Sequence, residues 1–184
     1  MGSQTRFSLA LTAVTIAAMG ATTPSGAQSE EPAVGLPAAL LAQHAAEASC
    51  EPLAEVRHAA MWGVHTLTEG FVLYMVPCAA GAYNFSYAFY VGPADRDAFA
   101  RQLFVDFHDR YGWTGTDQLF NPNFDPETLT LTSFYKLRGI GDCGTSGVWR
   151  WDRYAFALTG FYAQSECDLS VEPGDFPQVW PPID

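Results

Sequence analysis

Lysine is almost missing from this sequence: Lys136 stands alone, and eight arginines complete a basic set of nine against twenty carboxylates, for a formal net charge of −11 at pH 7. So acidic a chain repels phosphate backbones, which excludes nucleic acid as a partner class. It also lacks the polybasic cluster that holds a protein to anionic lipid. Long apolar runs are absent too. The longest of note, Phe7 to Met19, falls short of the roughly 20 residues that a spanning helix needs. There is no C-x-x-C pair, no H-E-x-x-H, no G-x-S-x-G and no glycine loop followed by Lys and Ser or Thr. The sequence therefore carries no zinc-nucleating pair and none of the usual hydrolase or phosphate-loop signatures.

What is present begins with an export signal. Arg6 supplies a positive start, Phe7 to Met19 a short apolar stretch, and Ser25-Gly26-Ala27 the small residues that a signal peptidase reads. Residues 1–27 are thus predicted to be removed, with cleavage near Ala27, and the product to reside in the periplasm or to be secreted, with no membrane insertion. No cysteine lies near the cleavage site, so no lipid anchor is expected. The remaining 157 residues keep eight basic and all twenty acidic side chains, a net −12. That length suits one domain with its own core.

Four cysteines, Cys50, Cys78, Cys143 and Cys167, lie in the mature part. In an exported chain an even count reads as disulfides, with three possible pairings. Proximity favours Cys50 with Cys78 and Cys143 with Cys167, each worth roughly 3 to 4 kcal/mol in the chain-entropy model.

Residues 28–35 show no periodicity and read as a flexible mature terminus, followed by one domain over 36–184. "LPAALLAQHAAEASC" predicts a helix: Pro37 suits its first turn, and Leu36, Leu40, Leu41 and Ala45 fall near one face. His44 is expected to be a partly covered surface residue. From residue 54 the pattern changes to short aromatic and β-branched runs broken by Gly, Pro, Asn and Asp. "VRHAAMWGV", "FVLYMV", "YNFSYAFYV", "QLFVDF", "TLTLTSFYKL", "VWRWD" and "YAFALTGFY" are the candidate strands. The fold class is mainly β: a single antiparallel β-sandwich or flattened barrel of about seven strands, with one N-terminal helix and two disulfides. A helical turn is predicted in "PADRDAFARQL". The proline-rich tail should lie extended, anchored by Trp180.

"GIGDCG", residues 139–144, matches the G-x-G-x-x-G spacing of a dinucleotide turn. Such a turn must open a helix, whose N-terminus holds the pyrophosphate. Here "TSGVWRWDRYAFAL" follows, with Trp149 and Trp151 alternating with Arg150 and Asp152, so a strand hairpin centred near Asp152 and Arg153 is predicted instead. The glycines then form a stapled bend at Cys143, and no cofactor is expected. Asn121, Asn123, Asp125 and Glu127 resemble a calcium loop, but Pro126 stands where that loop requires glycine, which leaves an Asx-type turn. His58, His65 and His108, with Asp106 and Asp109, are the remaining candidates for metal or acid–base chemistry. No metal site is assigned to them, and no catalytic residue.

"LYMVPCAAGAYN" (73–84), "NPNFDPETLTL" (121–131) and "RGIGDCGTSGVWRWD" (138–152) resemble the exported bacterial proteins grouped as domain of unknown function 1176. The likeness covers about residues 36–181 and corresponds to the C-terminal half of longer members. Leu137 and Arg153 depart from glycines expected at those places. The resemblance implies export and transfers no catalytic residue.

The reading is a non-enzymatic, disulfide-stabilised envelope module that binds a ligand, such as an exported or basic protein. The candidate surface is Tyr83, Asn84, Arg138, Asp142, Trp149 and Trp151, with Arg138–Asp142 alternatively a structural pair and the tryptophans alternatively core. A narrower form is a lysozyme inhibitor, because "AGAYN" (80–84) is loosely similar to the Ser-Gly-Ala-x-Tyr loop of periplasmic inhibitors of c-type lysozyme. The rivals are a carboxylate-based hydrolase of envelope glycans, which needs two acids about 5 to 10 Å apart, and a purely structural envelope protein.

Overall fold

A computed structural model describes residues 35–46, 49–108 and 110–181. The predicted signal segment 1–27 and nearly all of the predicted mature terminus lie outside the described residues. Helix α1 (Ala38–Ala46) precedes the strands β1 (Gly63–Thr66), β2 (Phe71–Ala80), β3 (Phe85–Pro93), β4 (Ala100–Arg101), β5 (Phe104–His108) and β6 (Gly112–Thr116). Next come β7 (Gln118–Phe120), β8 (Asn123–Asp125), β9 (Thr130–Lys136), β10 (Gly144–Asp152), β11 (Ala155–Gln164) and β12 (Gln178–Trp180). All pairings are antiparallel. One sheet runs β1-β2-β3-β4, with β7 sharing the far edge of β3, a second runs β12-β11-β10-β9-β8, and β5-β6 forms a separate hairpin.

The two large sheets pack face to face and do not close into a barrel, so of the two forms in the predicted fold class the sandwich is the one adopted. More strands form than the seven predicted. Four of the additional ones, β4, β7, β8 and β12, hold two or three residues each, too few to display a period; the fifth, β6, reads GWTGT, with two glycines and no apolar alternation. In "VRHAAMWGV" most of the run turns, with Ala59 N–H bonded to the Val56 carbonyl and Met61 N–H to that of His58. The helical turn predicted after Pro93 does not form, and the chain passes through bends into β4.

Strand β3 is buried on both faces, although only one of them is ring-rich. Tyr87, Phe89 and Val91 point into the sandwich, where they meet Leu131, Trp149 and Phe161 of the second sheet. Ala88 and Tyr90 point the other way and join Tyr74, Val76, Leu36 and Leu40 beneath α1. The sheet is therefore buried on both sides. His44 lies in this outer layer, buried at 3% exposure with Nδ1 3.1 Å from the Tyr90 hydroxyl, and not on the surface as its position beside the apolar stripe predicted. Helix geometry explains it, since residue 44 sits one turn beyond Leu40. The layer is fastened by the Cys50–Cys78 disulfide. Strand β2 tolerates Pro77 because its register shifts between Pro77 and Ala79, and this bulge removes the demand for the missing N–H.

In the sandwich, rings meet edge to face: Phe89 with Phe104 at 5.2 Å and Phe104 with Trp149 at 5.5 Å. Such pairs add about 0.5–1.5 kcal/mol each beyond the area they bury. The tail anchors through Phe176, buried at 4% and packed on Phe134, whereas Trp180 is 41% exposed. A phenyl ring set between Pro173 and Pro177 gave no sign that it, and not the tryptophan, would be covered.

Candidate functional site: a polar node and an open-ended cleft

The three stretches singled out by sequence converge at one end of the sandwich. The turn after β2 carries Tyr83 and Asn84, the loop after β7 carries Asn121, and the segment after β9 carries Arg138 to Cys143. Asn121 adopts a left-handed backbone, φ 44°, which asparagine tolerates better than most side chains. Its Oδ1 accepts the Phe85 amide at 3.1 Å, while Nδ2 donates to Asn84 Oδ1 at 3.0 Å and to the Phe134 carbonyl at 2.8 Å. Asn84 in turn exchanges bonds with the Lys136 amide and carbonyl, at 3.1 and 2.8 Å. Tyr83 donates its hydroxyl to the Leu137 carbonyl at 3.1 Å.

Arg138 and Asp142 form a bidentate ion pair, with Nε to Oδ1 at 2.7 Å and Nη2 on Oδ2. Asp142 also accepts the Leu169 amide at 3.0 Å. Hydrogen bonds from Arg138, joined by the Leu169 amide, hold the Asp142 carboxyl down at about 2. Asp142 is buried at 4% exposure, while the Arg138 side chain remains 40% exposed. The glycines do the rest. Gly141 has φ 76° and Gly144 φ 147°, and a Cβ on Gly144 would stand 1.9 Å from the Tyr135 carbonyl oxygen. Gly144 opens β10 and no helix, and Cys143 is joined to Cys167. The run is the tethered bend that the sequence predicted.

Trp149 and Trp151 are 1% and 6% exposed. Both belong to the core, and Trp151 Nε1 donates to Thr68 Oγ1 at 3.0 Å. Of the six predicted surface residues, Tyr83, Asn84, Arg138 and Asp142 thus gather at the node and the two tryptophans lie inside.

The histidines do not assemble. His58 packs against Phe85 and Tyr87, His65 against Phe124, and His108 stacks on Tyr111. Among the described residues no three metal-ligating side chains cluster. Asp109 is outside them. Asp125 caps its own turn through the Glu127 amide at 2.9 Å and the Thr128 hydroxyl at 2.7 Å, as an Asx-type turn requires.

A second feature lies beside the node. Along the inward face of the second sheet Leu131 and Trp149 share one cross-strand row, Ser133, Gly147 and Phe161 the next, and Tyr135, Thr145 and Ala163 the one after. The small side chains of Ser133, Thr145 and Ala163 leave room on this face, and a cleft of about 330 Å³ opens beside them. Its remaining walls are Asp106, Phe107, His108 and Thr116 of the β5-β6 hairpin, Gln118 to Phe120 of β7, and Tyr135, Leu137 and Gln164. Phe120 and Tyr135 face each other at 4.9 Å. Asp106 is half-buried; loss of hydration raises its pKa, partly offset by the Phe107 amide and the neighbouring His108. Sequence reasoning had marked Asp106 and His108 but missed the rest. A partial signal was present in the two-residue spacing of Trp149-Gly147-Thr145 and Phe161-Ala163, where size falls along one face, although β9 runs Leu131-Ser133-Tyr135 and ends on a ring.

These features define a class: a disulfide-stapled β-sandwich with a helix on one outer face and an interior that opens at one end. The profile of the family described as Protein of unknown function (DUF1176) matches residues 3–182, and the chain belongs to that family. Over 118 residues it is 30% identical to the Uncharacterized protein YpfG of Escherichia coli (strain K12), an alignment covering 64% of this chain and 34% of that protein. The chain thus spans about a third of that relative's length. No solved structure matches it. The two disulfides suit an oxidising compartment, and among the described residues no helix is long and apolar enough to cross a membrane.

Proposed function

We propose that the protein is an exported, non-enzymatic binding module of the cell envelope whose ligand enters the cleft at the open end of the sandwich. The observation that carries this reading is the cleft of about 330 Å³ that opens beside Ser133, Thr145 and Ala163 at the end of the sandwich, with a few polar groups converging on it. Ligand sites are typically mostly apolar clefts of this size or larger with a small number of placed polar groups. The predicted surface at Tyr83, Asn84, Arg138 and Asp142 is weaker, because those polar groups are occupied by one another and by main chain. The same occupation weighs against the inhibitor-like form, because Tyr83, although 38% exposed, has its hydroxyl committed to the Leu137 carbonyl. Along the cleft, Asp106 is the one carboxylate among the described residues, so the two-acid arrangement of a glycan hydrolase has less support than binding.

The test passes envelope extract over immobilised protein, washes, and reads released small molecules and proteins by mass spectrometry. Ala163→Phe fills the cleft and should abolish retention, whereas Tyr83→Phe should retain as the wild type does. Equal retention by Ala163→Phe and wild type would overturn the reading.

A further inference from the structure

The lining of the cleft also specifies the charge of what it receives. Asp106 is its one carboxylate among the described residues, and neither lysine nor arginine lies along it. Asp106 Oδ1 accepts the Phe107 amide at 2.9 Å. Among the described residues no arginine or lysine pairs with Asp106, whereas Asp117 and Asp142 are paired with Arg101 and Arg138. A half-buried carboxylate held among apolar walls is costly to keep ionised unless a cation joins it. The same walls supply aromatic faces: Phe120 and Tyr135, 4.9 Å apart, with Phe107 on the hairpin. A cation gains from a carboxylate and from ring faces together. At longer range, the net charge of −11 concentrates cations around the molecule.

We propose that the cleft binds a small organic cation, an amine or guanidinium carried on an apolar or aromatic body, with Asp106 as its counter-ion and Phe107, Phe120 and Tyr135 packing the body. This rests on the reading of the cleft as the ligand site. The volume, about 330 Å³, lies at the small end of the range for small-molecule pockets, which favours a free amine over a whole peptide segment.

The experiment uses three probes of one shape and different charge: 2-phenylethylamine, 2-phenylethanol and 3-phenylpropanoate. Each is titrated at pH 7 into the oxidised protein while backbone amide NMR shifts are followed. The amine should move the amides of Asp106, Phe120, Thr145 and Ala163 saturably and bind about tenfold tighter than the alcohol, equivalent to ~1.4 kcal/mol. The carboxylate should bind weakest. In Asp106→Asn, the amine and alcohol should converge to within about twofold. If the alcohol matches the amine in the wild type, or the amine keeps its advantage in Asp106→Asn, the cation assignment falls while the cleft stands. If no probe moves the cleft amides, both fall. Tighter binding by N-acetyl-lysine methylamide than by 2-phenylethylamine would overturn the small-molecule assignment in favour of a partner's basic side chain.

Discussion

Asn121 Nδ2 lies 3.0 Å from Asn84 Oδ1, and through this pair the turn after β2, the loop after β7 and the end of β9 are bonded to one another. Truncating Asn121 strands the Phe85 amide and the Phe134 carbonyl at once. Each unsatisfied group costs about 1–3 kcal/mol, so Asn121→Ala should lower unfolding stability in urea by about 2–4 kcal/mol. Tyr83→Phe removes one exposed bond and should cost about 1 kcal/mol or less. A double-mutant cycle of Asn84→Ala with Asn121→Ala should show coupling above about 0.5 kcal/mol.

Asp142 links stability to acid. Its folded carboxyl sits at about 2 against an ordinary 3.8. The unfolded chain therefore takes up the proton first as pH falls, and the stabilisation is complete above about pH 4 and lost toward pH 2. Urea midpoints measured across that window should fall less steeply for Asp142→Asn than for the wild type. At pH 7 the same variant should be less stable, because Arg138 loses its ionic partner.

His58 acts in the same sense at a higher pH, with an ordinary value of 6.5. Burial against Phe85 and Tyr87 lowers its pKa, opposed by the Ser86 backbone and by Glu51 and reinforced by Arg57. The folded state resists a proton that the unfolded state accepts, so stability is full above pH 6.5 and declines as pH falls below it. His65, lowered by burial as well, adds to the same decline. His58→Leu should reduce, and His58→Leu with His65→Leu remove most of, the loss of thermal stability between pH 7 and 5.

Two glycines are fixed by what surrounds them. A Cβ on Gly147 would stand 2.0 Å from the Trp149 ring, and one on Gly144 1.9 Å from the Tyr135 oxygen. Gly147→Ala should cost about 1–3 kcal/mol, the usual range for overpacking, and should alter the near-ultraviolet dichroism of Trp149. Gly144→Ala should be worse, since backbone must shift and φ is 147°.

Arg153 occupies a left-handed conformation, φ 54°, in the two-residue loop between Asp152 and Ala155. Arg153→Gly should raise stability by about 0.5–1 kcal/mol, because the strain of a side chain there exceeds the added freedom of the unfolded chain. A drop in melting temperature would contradict this.

Much of the fold was legible. The period-two rings of β3, the β10-β11 hairpin and both disulfides follow from local pattern and loop length, which act over a few residues or one turn. Whether the sandwich closes into a barrel is settled by the edges of short strands such as β4 and β7, which carry no period of their own. Trp149 and Trp151 alternate with charged neighbours and so announce an inward face, yet aromatic residues flanking a glycine bend also suit a binding surface, and only packing decides. The cleft was harder to read. Asp106, Leu119, Tyr135 and Ala163 come from four strands and are individually ordinary, so their meeting depends on how the hairpin β5-β6 lies across the sandwich.

Because Ser133, Thr145 and Ala163 lie on the same inward face as Leu131, Trp149 and Phe161, one or two rows nearer the open end, the lining of the cleft and the aromatic core are drawn from a single surface. Exchanging Thr145 or Ala163 would therefore change the width of the cleft while leaving the Leu131–Trp149 row beneath it untouched.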